Sequence, residues 1–490
     1  MSEACSSLPQ AEDFPKFIHD DKHRSFGLRD VVPSYMDSLI AFLKTSSCES
    51  LEYKSKRVAA LLMRIVEETE GEEIEIHEKL ADHLKKVYEG KRFAYLRRLL
   101  SLAVDEAGGA YKARKAQIMG IIQKLTLGFR QDAVLPASGF WMPLPSDKIK
   151  ESAKVMQLQK ELNQGTSETC CPTRNHWATD AEIVELHKQM LKQVGLGRWR
   201  VVPNDTKLPM GASLAFPVKQ PTEDDPNRAR CCIDFRSQNR SIVPVERMRL
   251  NGARCTMAII QRCMSSRRND PVRFQSKKDL LADMDEERRL RAIIENNNLH
   301  QNKSQRIFAQ PDDNSDRLYF QSSDNKEDEE GSEPEDGFCF RPYGAKRDLR
   351  SFYYQCGTRE EIKNAVFFPV PQTEPEKPET PRKRGRNGKP VRPRHAWALI
   401  LSAVQLFGSL SSVYECVSVS ETLQIICCCL LRVLVSIYID DLHILSRKRQ
   451  LASDEVLVDL MLALGGWWQS SEKGATQLDA TQRALTVLGM

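Results

Sequence analysis

The chain has 490 residues, enough for about three domains of ordinary size. Hydrophobic residues at 41% and charged residues at 28% allow a sizeable core, which excludes collagen-like and wholly disordered chains. Lys and Arg number 72 against 67 Asp and Glu, and a formal charge of +5 is too small to argue for or against nucleic acid until its distribution is known.

Residues 1–145 read as a helical region whose role the sequence leaves open. The first ten residues are polar, so no signal peptide is expected, and the protein reads as intracellular, in nucleus or cytoplasm. Apolar side chains recur at helical spacing in Val58, Ala59, Leu61, Leu62 and Ile65, and again from Leu80 through Leu84, Val87, Phe93, Leu96 and Leu100. Lys85, Lys86, Lys91, Arg92, Arg97 and Arg98 accompany the second run. They form either a nucleic-acid face or the solvated side of a helix.

From 146 to 245 the pattern changes to a helix over Glu182–Val194 and strands over Leu214–Val218 and Cys231–Phe235, with a polar turn Thr222–Asn227 between the strands. Residues 246–337 are more polar and end in Asp324–Asp336, with eight carboxylates and one lysine. Such a block buries too little apolar surface to order itself, so a disordered insertion is expected. A linker over 371–395 begins Pro-rich and then carries Arg382, Lys383, Arg384, Arg386, Lys389, Arg392 and Arg394 with no acid among them. Phosphate contact, nuclear targeting and a solvated basic loop all fit that run.

The 14 cysteines contain no Cys-x-x-Cys spacing, and several are adjacent, so reduced and mostly buried thiols are expected rather than a metal site or a disulfide framework. The most apolar stretch, Leu423–Ile439, is broken by Arg432, whereas a membrane helix needs about 20 mostly apolar residues. A buried strand pair, or a helix leading into a strand, is expected there, with no membrane contact.

Directly after that stretch come Tyr438, Ile439, Asp440 and Asp441, followed by another apolar run, Leu442–Leu445. Two adjacent acids at the tip of a hydrophobic hairpin are costly unless a cation sits beside them. Mg²⁺ suits one or two carboxylates plus substrate phosphates. A further carboxylate must arrive from elsewhere, and Asp348 supplies one. Two-metal nucleotidyl transfer needs carboxylates on neighbouring strands, so that ions roughly 3.5–4 Å apart clamp the attacking and leaving oxygens.

In order, the chain carries Asp348 in Lys346-Arg347-Asp348-Leu349-Arg350-Ser351-Phe352-Tyr353-Tyr354-Gln355, then Leu406-Phe407-Gly408-Ser409, then Tyr438-Ile439-Asp440-Asp441. Upstream stand Phe216-Pro217-Val218-Lys219-Gln220 and Arg230-Cys231-Cys232-Ile233-Asp234-Phe235-Arg236. Downstream stand Gly466-Trp467, Glu472-Lys473 and Ala484–Gly489. This series resembles the reverse transcriptase domain of retrotransposons, over roughly residues 205–245 and 338–490. The resemblance implies an α+β right-hand polymerase, with fingers in 146–245 and a palm in 338–490 whose antiparallel sheet is flanked by helices. It implies RNA-directed DNA polymerase activity with two Mg²⁺ or Mn²⁺ ions, and a template-primer of RNA or DNA and deoxynucleoside triphosphates as partners.

By the same resemblance Asp348, Asp440 and Asp441 hold the metals, and the backbone of Leu349 touches one. Tyr353 is a gate against the nucleotide 2′-hydroxyl, Phe407 and Gly408 line the nucleotide pocket, and Arg230, Lys219 and Arg236 hold the triphosphate. Lys473 is either the residue that neutralises the leaving pyrophosphate or an exposed helix-end lysine. Leu406 and Val413 stand where the family has prolines, so the nucleotide-pocket turn is expected to differ. Asp279, in Lys277-Lys278-Asp279-Leu280, lacks the aromatic-x-Gln pattern that follows Asp348. The chain ends at Met490, just after the last palm-like motif, so thumb, RNase H and integrase functions are expected elsewhere. A catalytically decayed relative that only binds nucleic acid is the alternative. An RNA-dependent RNA polymerase fits less well, because Ile439 and Tyr353 replace the small residues such enzymes carry.

Overall fold

The computed structural model describes residues 32–131, 134–144, 178–208, 211–220, 229–239, 242–251, 253–264, 342–371 and 396–469. All of these except Met264 belong to one compact unit. The Thr222–Asn227 turn, the acidic tract Asp324–Asp336, the basic run Arg382–Arg394, Asp279 and Lys473 lie outside the described residues.

The N-terminal region contains α1 (Ser34–Thr45), α2 (Cys48–Glu78), α3 (Phe93–Ala107) and α4 (Lys115–Leu127); the periodic run Val58–Ile65 lies on α2, and the run from Leu80 to Leu100 divides between a short helical turn at Asp82–Lys85 and α3. Ser47 starts α2, its hydroxyl accepting the Ser50 N–H at 3.2 Å. Helix α3 has no side-chain cap of its own. Instead Glu73, buried on α2, accepts the Phe93 and Ala94 N–H groups at 2.6 and 2.8 Å. A carboxylate at a helix N-terminus satisfies orphan donors and complements the helix dipole, so two helices are tied by one side chain. Leu96, Leu99, Leu100, Ala103 and Val104 of α3 are fully buried.

The helix expected over Glu182–Val194 is α5 (Asp180–Gly195). It opens on a reciprocal cap: the Thr179 N–H donates to Glu182 at 2.6 Å, and the Glu182 N–H donates to Thr179 at 3.3 Å. Then come β1 (Trp199–Val202), β2 (Ser213–Lys219), β3 (Ala229–Asp234) and α6 (Ala253–Met264). After the gap follow β4 (Tyr343–Asp348), β5 (Ala365–Val370) and β6 (Ala396–Ser402). The chain continues through α7 (Leu410–Ile425), β7 (Leu434–Tyr438), β8 (Asp441–Ser446) and α8 (Leu451–Leu464).

Helix and sheet are therefore mixed, and two principal sheets form. One is three-stranded and antiparallel, in the order β4-β8-β7. The other has five strands in the order β1-β6-β5-β2-β3 and is mixed, because β2 runs parallel to β5 while the other pairs are antiparallel. Strands from residues 199–234 thus share one sheet with strands from residues 365–402. Almost all of β5 is buried, which suits an inner strand covered on both faces.

The apolar stretch before the paired aspartates is a helix leading into a strand. Helix α7 continues as a wider helical turn over Ile426–Leu430. Leu410–Leu430 is long and apolar enough to cross a membrane, yet 89% of its apolar window is buried inside the protein. Three of its hydroxyls bond back to their own helix: Ser418 to the Tyr414 carbonyl, Ser420 to Cys416 and Thr422 to Ser418, at 2.9–3.1 Å. Helix α3 packs on the Ile426–Leu430 turn, and α2 packs on α8, so the N-terminal helices form part of the wall around this core. The described cysteines are free, and all but Cys231 and Cys232 are buried.

Candidate metal centre

Strands β7 and β8 form a hairpin whose turn is Ile439-Asp440, with Tyr438 opposite Asp441. Ile439 has φ +60°, a left-handed conformation that a β-branched residue rarely adopts. Tertiary contacts on both sides of the turn hold it there. The Ser420 hydroxyl of α7 donates to the Ile439 carbonyl, and the Leu349 N–H donates to the Asp440 carbonyl at 2.9 Å.

On the other side of β8, β4 pairs so that Asp348 lies directly opposite Asp441. Asp348, Asp440 and Asp441 are all half-buried, and each offers an oxygen within 4.8 Å of the others. Burial holds the Asp440 carboxyl above its ordinary range, and the charges of Asp348 and Asp441 add to that. Lys346, two residues before Asp348 and therefore on the same face of β4, meets Asp441 at 2.8 Å; that bond raises the lysine above its ordinary value.

Three carboxylates crowded this closely repel one another, and a single exposed lysine offsets only part of the charge. The donor set is all oxygen, hard and anionic, which fits Mg²⁺ or Mn²⁺ and lacks the nitrogen and sulfur ligands of a structural zinc site. Asp348, Asp440 and Asp441 are the one such group among the described residues.

The remaining residues singled out in the sequence divide into two groups. Some gather beside the hairpin. Tyr353 is buried, its hydroxyl has no hydrogen-bond partner, and burial, Cys416 and Asp440 raise that hydroxyl above its ordinary value. Its ring meets Phe407 edge-on at 5.3 Å, and Phe407 itself is 62% exposed. Gly408 has φ +102°, and a Cβ there would stand 3.3 Å from the Ile233 carbonyl, so a bare backbone suits this turn. Phe216, Ile233, Asp234, Phe235, Arg236, Asn239 and Gly408 line a cleft of about 350 Å³.

The basic residues expected to hold phosphates are placed differently. Arg236 is engaged by Asp234 through two bonds of 2.9 and 2.6 Å, and Lys219 meets Glu182 at 3.5 Å. Arg230 stands exposed on β3, opposite Val218. Leu349 is fully buried.

Several residues shape the site in roles that the sequence did not assign to them. Asn239 clamps the Gly408 turn: its amide donates to the Gly408 carbonyl at 2.9 Å and its oxygen accepts the Leu410 N–H at 2.8 Å. The altered residue of that turn, Leu406, is buried. Gln355 has all four hydrogen-bonding capacities filled: it donates to the Arg350 and Trp468 carbonyls and accepts from the Trp468 N–H and from Lys91 Nζ at 2.7 Å. Lys91, buried from the N-terminal region, also lies 3.6 Å over the Trp467 ring, and burial holds its ammonium well below the ordinary value. Lys346 carried a sequence signal in its two-residue spacing from Asp348, and Gln355 in the aromatic-x-Gln pattern; Lys91, expected on a nucleic-acid face or a solvated helix side, is instead buried. No protein-family model matches the chain, and a comparison with curated proteins finds no relative.

Proposed function

We propose that the chain is an RNA-directed DNA polymerase with a right-hand fingers and palm arrangement, transferring nucleotides from deoxynucleoside triphosphates to a primer 3′-hydroxyl. One observation carries this reading: Asp348 and the adjacent Asp440 and Asp441, far apart in sequence, meet across neighbouring antiparallel strands. Asp348 and Asp440 would hold two divalent ions with Asp441 beside them, and such ions supply charge neutralisation at the attacking and leaving oxygens.

The chain's own residues supply position and selection. The Asp440 carbonyl and the Leu349 N–H fix the hairpin against β4, so the carboxylates are held before substrate arrives. Tyr353, buried and braced by Phe407, is a rigid wall beside Asp440 that excludes a sugar 2′-hydroxyl by volume. Gly408 lets the turn beside the cleft pack against the Ile233 carbonyl, where a Cβ would be crowded. Arg230 is the exposed guanidinium on the strand that borders the cleft and suits a polyphosphate.

Primer extension on an RNA template with Mg²⁺ tests the reading. Wild-type protein is expected to incorporate deoxynucleotides. Asp440→Asn and Asp348→Asn should abolish incorporation, and Tyr353→Ala should admit ribonucleotides. Absence of incorporation by the wild type under Mg²⁺ and Mn²⁺ would sink it. A second reading, nucleic-acid binding without transfer, is favoured by one observation: Arg236 and Lys219 are engaged by Asp234 and Glu182. Retained RNA binding without incorporation would select it.

A further inference from the structure

Trp468 is 43% exposed although its backbone is tightly held. Its N–H donates to Gln355 at 2.9 Å, and its carbonyl accepts from Gln355 at 2.8 Å and from the Arg350 N–H at 3.0 Å. The antiparallel bridge between Leu349 and Gln469 sets Trp468 opposite Arg350. Arg350 opens the turn that follows Asp348 and is exposed, while Leu349 between them is buried, so Arg350 and its partner Trp468 lie just past the end of the strand that carries Asp348.

The guanidinium of Arg198 lies 5.5 Å from the Trp468 ring and 5.6 Å from the Tyr354 ring, and Arg198 is itself buried. The indole thus has the Arg198 cation close to its ring and the exposed Arg350 joined to its backbone across the bridge, and 43% of the residue faces solvent. A large apolar ring left in solvent on a rigid backbone forgoes the burial that would otherwise stabilise it. A flat ring flanked by guanidinium groups is the chemistry that receives a nucleobase and its phosphate.

Resting on the polymerase reading of the carboxylates, we propose that Trp468 is a stacking platform for a base of the polynucleotide strand that passes Asp348, with Arg350 taking the adjoining phosphate. The ligand is a strand rather than the incoming nucleotide, because the cleft beside Gly408 is lined by other residues and Trp468 is not among them. Every base has a π-face, so the platform is indifferent to sequence.

The test is equilibrium binding of labelled oligo-dT, read by anisotropy across a salt series, with primer extension run in parallel. Trp468→Leu and Trp468→Ala are expected to weaken binding about tenfold, in the range of one lost base–aromatic stack. Trp468→Phe should restore affinity to within about threefold, since a smaller aromatic plane still stacks. Arg350→Ala should weaken binding and reduce the salt slope by about one phosphate contact. The backbone bonds of Trp468 do not depend on its side chain, so Trp468→Phe should melt with the wild type. If Trp468→Ala fails to fold, the comparison of Trp468→Leu with Trp468→Phe decides. Equal affinity of the leucine and phenylalanine variants, with wild-type incorporation intact, overturns the platform and leaves the polymerase reading standing. A wild type that neither binds oligo-dT nor incorporates removes both.

Discussion

Glu421 lies buried on α7, behind the hairpin that carries Asp440, with the Asn251 amide donating to it at 2.8 Å. Burial pushes its carboxyl up to about 7 from 4.5, against smaller opposing effects of Asn251 and Arg249. A carboxyl raised on folding makes the native state bind more protons than the unfolded chain. Stability from this group is therefore complete below about pH 4.5 and is lost as pH rises through about 7. The shift corresponds to roughly 3 kcal/mol. Glu421→Gln keeps an oxygen for Asn251 and removes the charge. Urea unfolding at pH 5 and pH 8 should show the variant gaining on the wild type at the higher pH by roughly that amount. An equal difference at both pH values would refute the assignment. The adjacent Ser420 carries a different part of the same design, since its hydroxyl holds the left-handed Ile439. Neither side chain stands out in the sequence, because an apolar helix with scattered polar residues does not reveal which of them is anchored to another element.

At the scale of elements, the β7–β8 hairpin was legible: two apolar runs with Tyr438-Ile439-Asp440-Asp441 between them can hardly be anything else. Helices α2, α3 and α5 were legible in the sequence, whereas the Thr179/Glu182 cap that starts α5 before Glu182 was not read there. The joint after α8 was not. Gly466 has φ +74°, and a Cβ placed there would collide with the Gly90 carbonyl and stand 2.7 Å from Lys91 Cα. Backbone meets backbone at this point, so no side-chain movement can relieve the clash. Gly466→Ala is expected to destabilise by about 3 kcal/mol, combining left-handed strain with a displaced turn. Because Trp467 and Trp468 follow directly, tryptophan emission should shift as well. Thermal unfolding within about 1 °C of the wild type would contradict this account.

For the molecule as a whole, residues 34–127 form part of the core that supports the hairpin. Helix α3 covers the end of α7, Lys91 reaches Gln355 in the segment after Asp348, and Glu73 and Gly90 tie the helices to one another and to the Gly466 turn. Deleting residues 1–145 would remove Leu96, Leu99 and Leu100 and uncover the parts of α7 and of the Ile426–Leu430 turn that α3 covers. The expected product lacks a cooperative unfolding transition and binds a dye for exposed apolar surface. A truncated chain that melts cooperatively near the full-length midpoint would show that the helices are dispensable for folding.

The resemblance in motif order named the three aspartates that could share a metal, while residue patterning by itself determined the mixed helix-and-sheet class, helices α2, α3 and α5, and the hairpin. These are properties of residue type and short-range spacing, and a hydrophobic period of 3.6 or 2 is enough to express them. Tertiary structure alone decided that Asp348 faces Asp441, that Lys346 takes up one of the carboxylates, and that Asn239 clamps the Gly408 turn. It also decided that Arg236 and Lys219 are engaged by nearby acids, and that Trp468 stands beside Arg350 on an edge secured from the N-terminal region. Each of these joins segments with no local reason to meet. Strand register and the fit of one packed surface on another bring them together, and neither is written in the spacing of any single stretch.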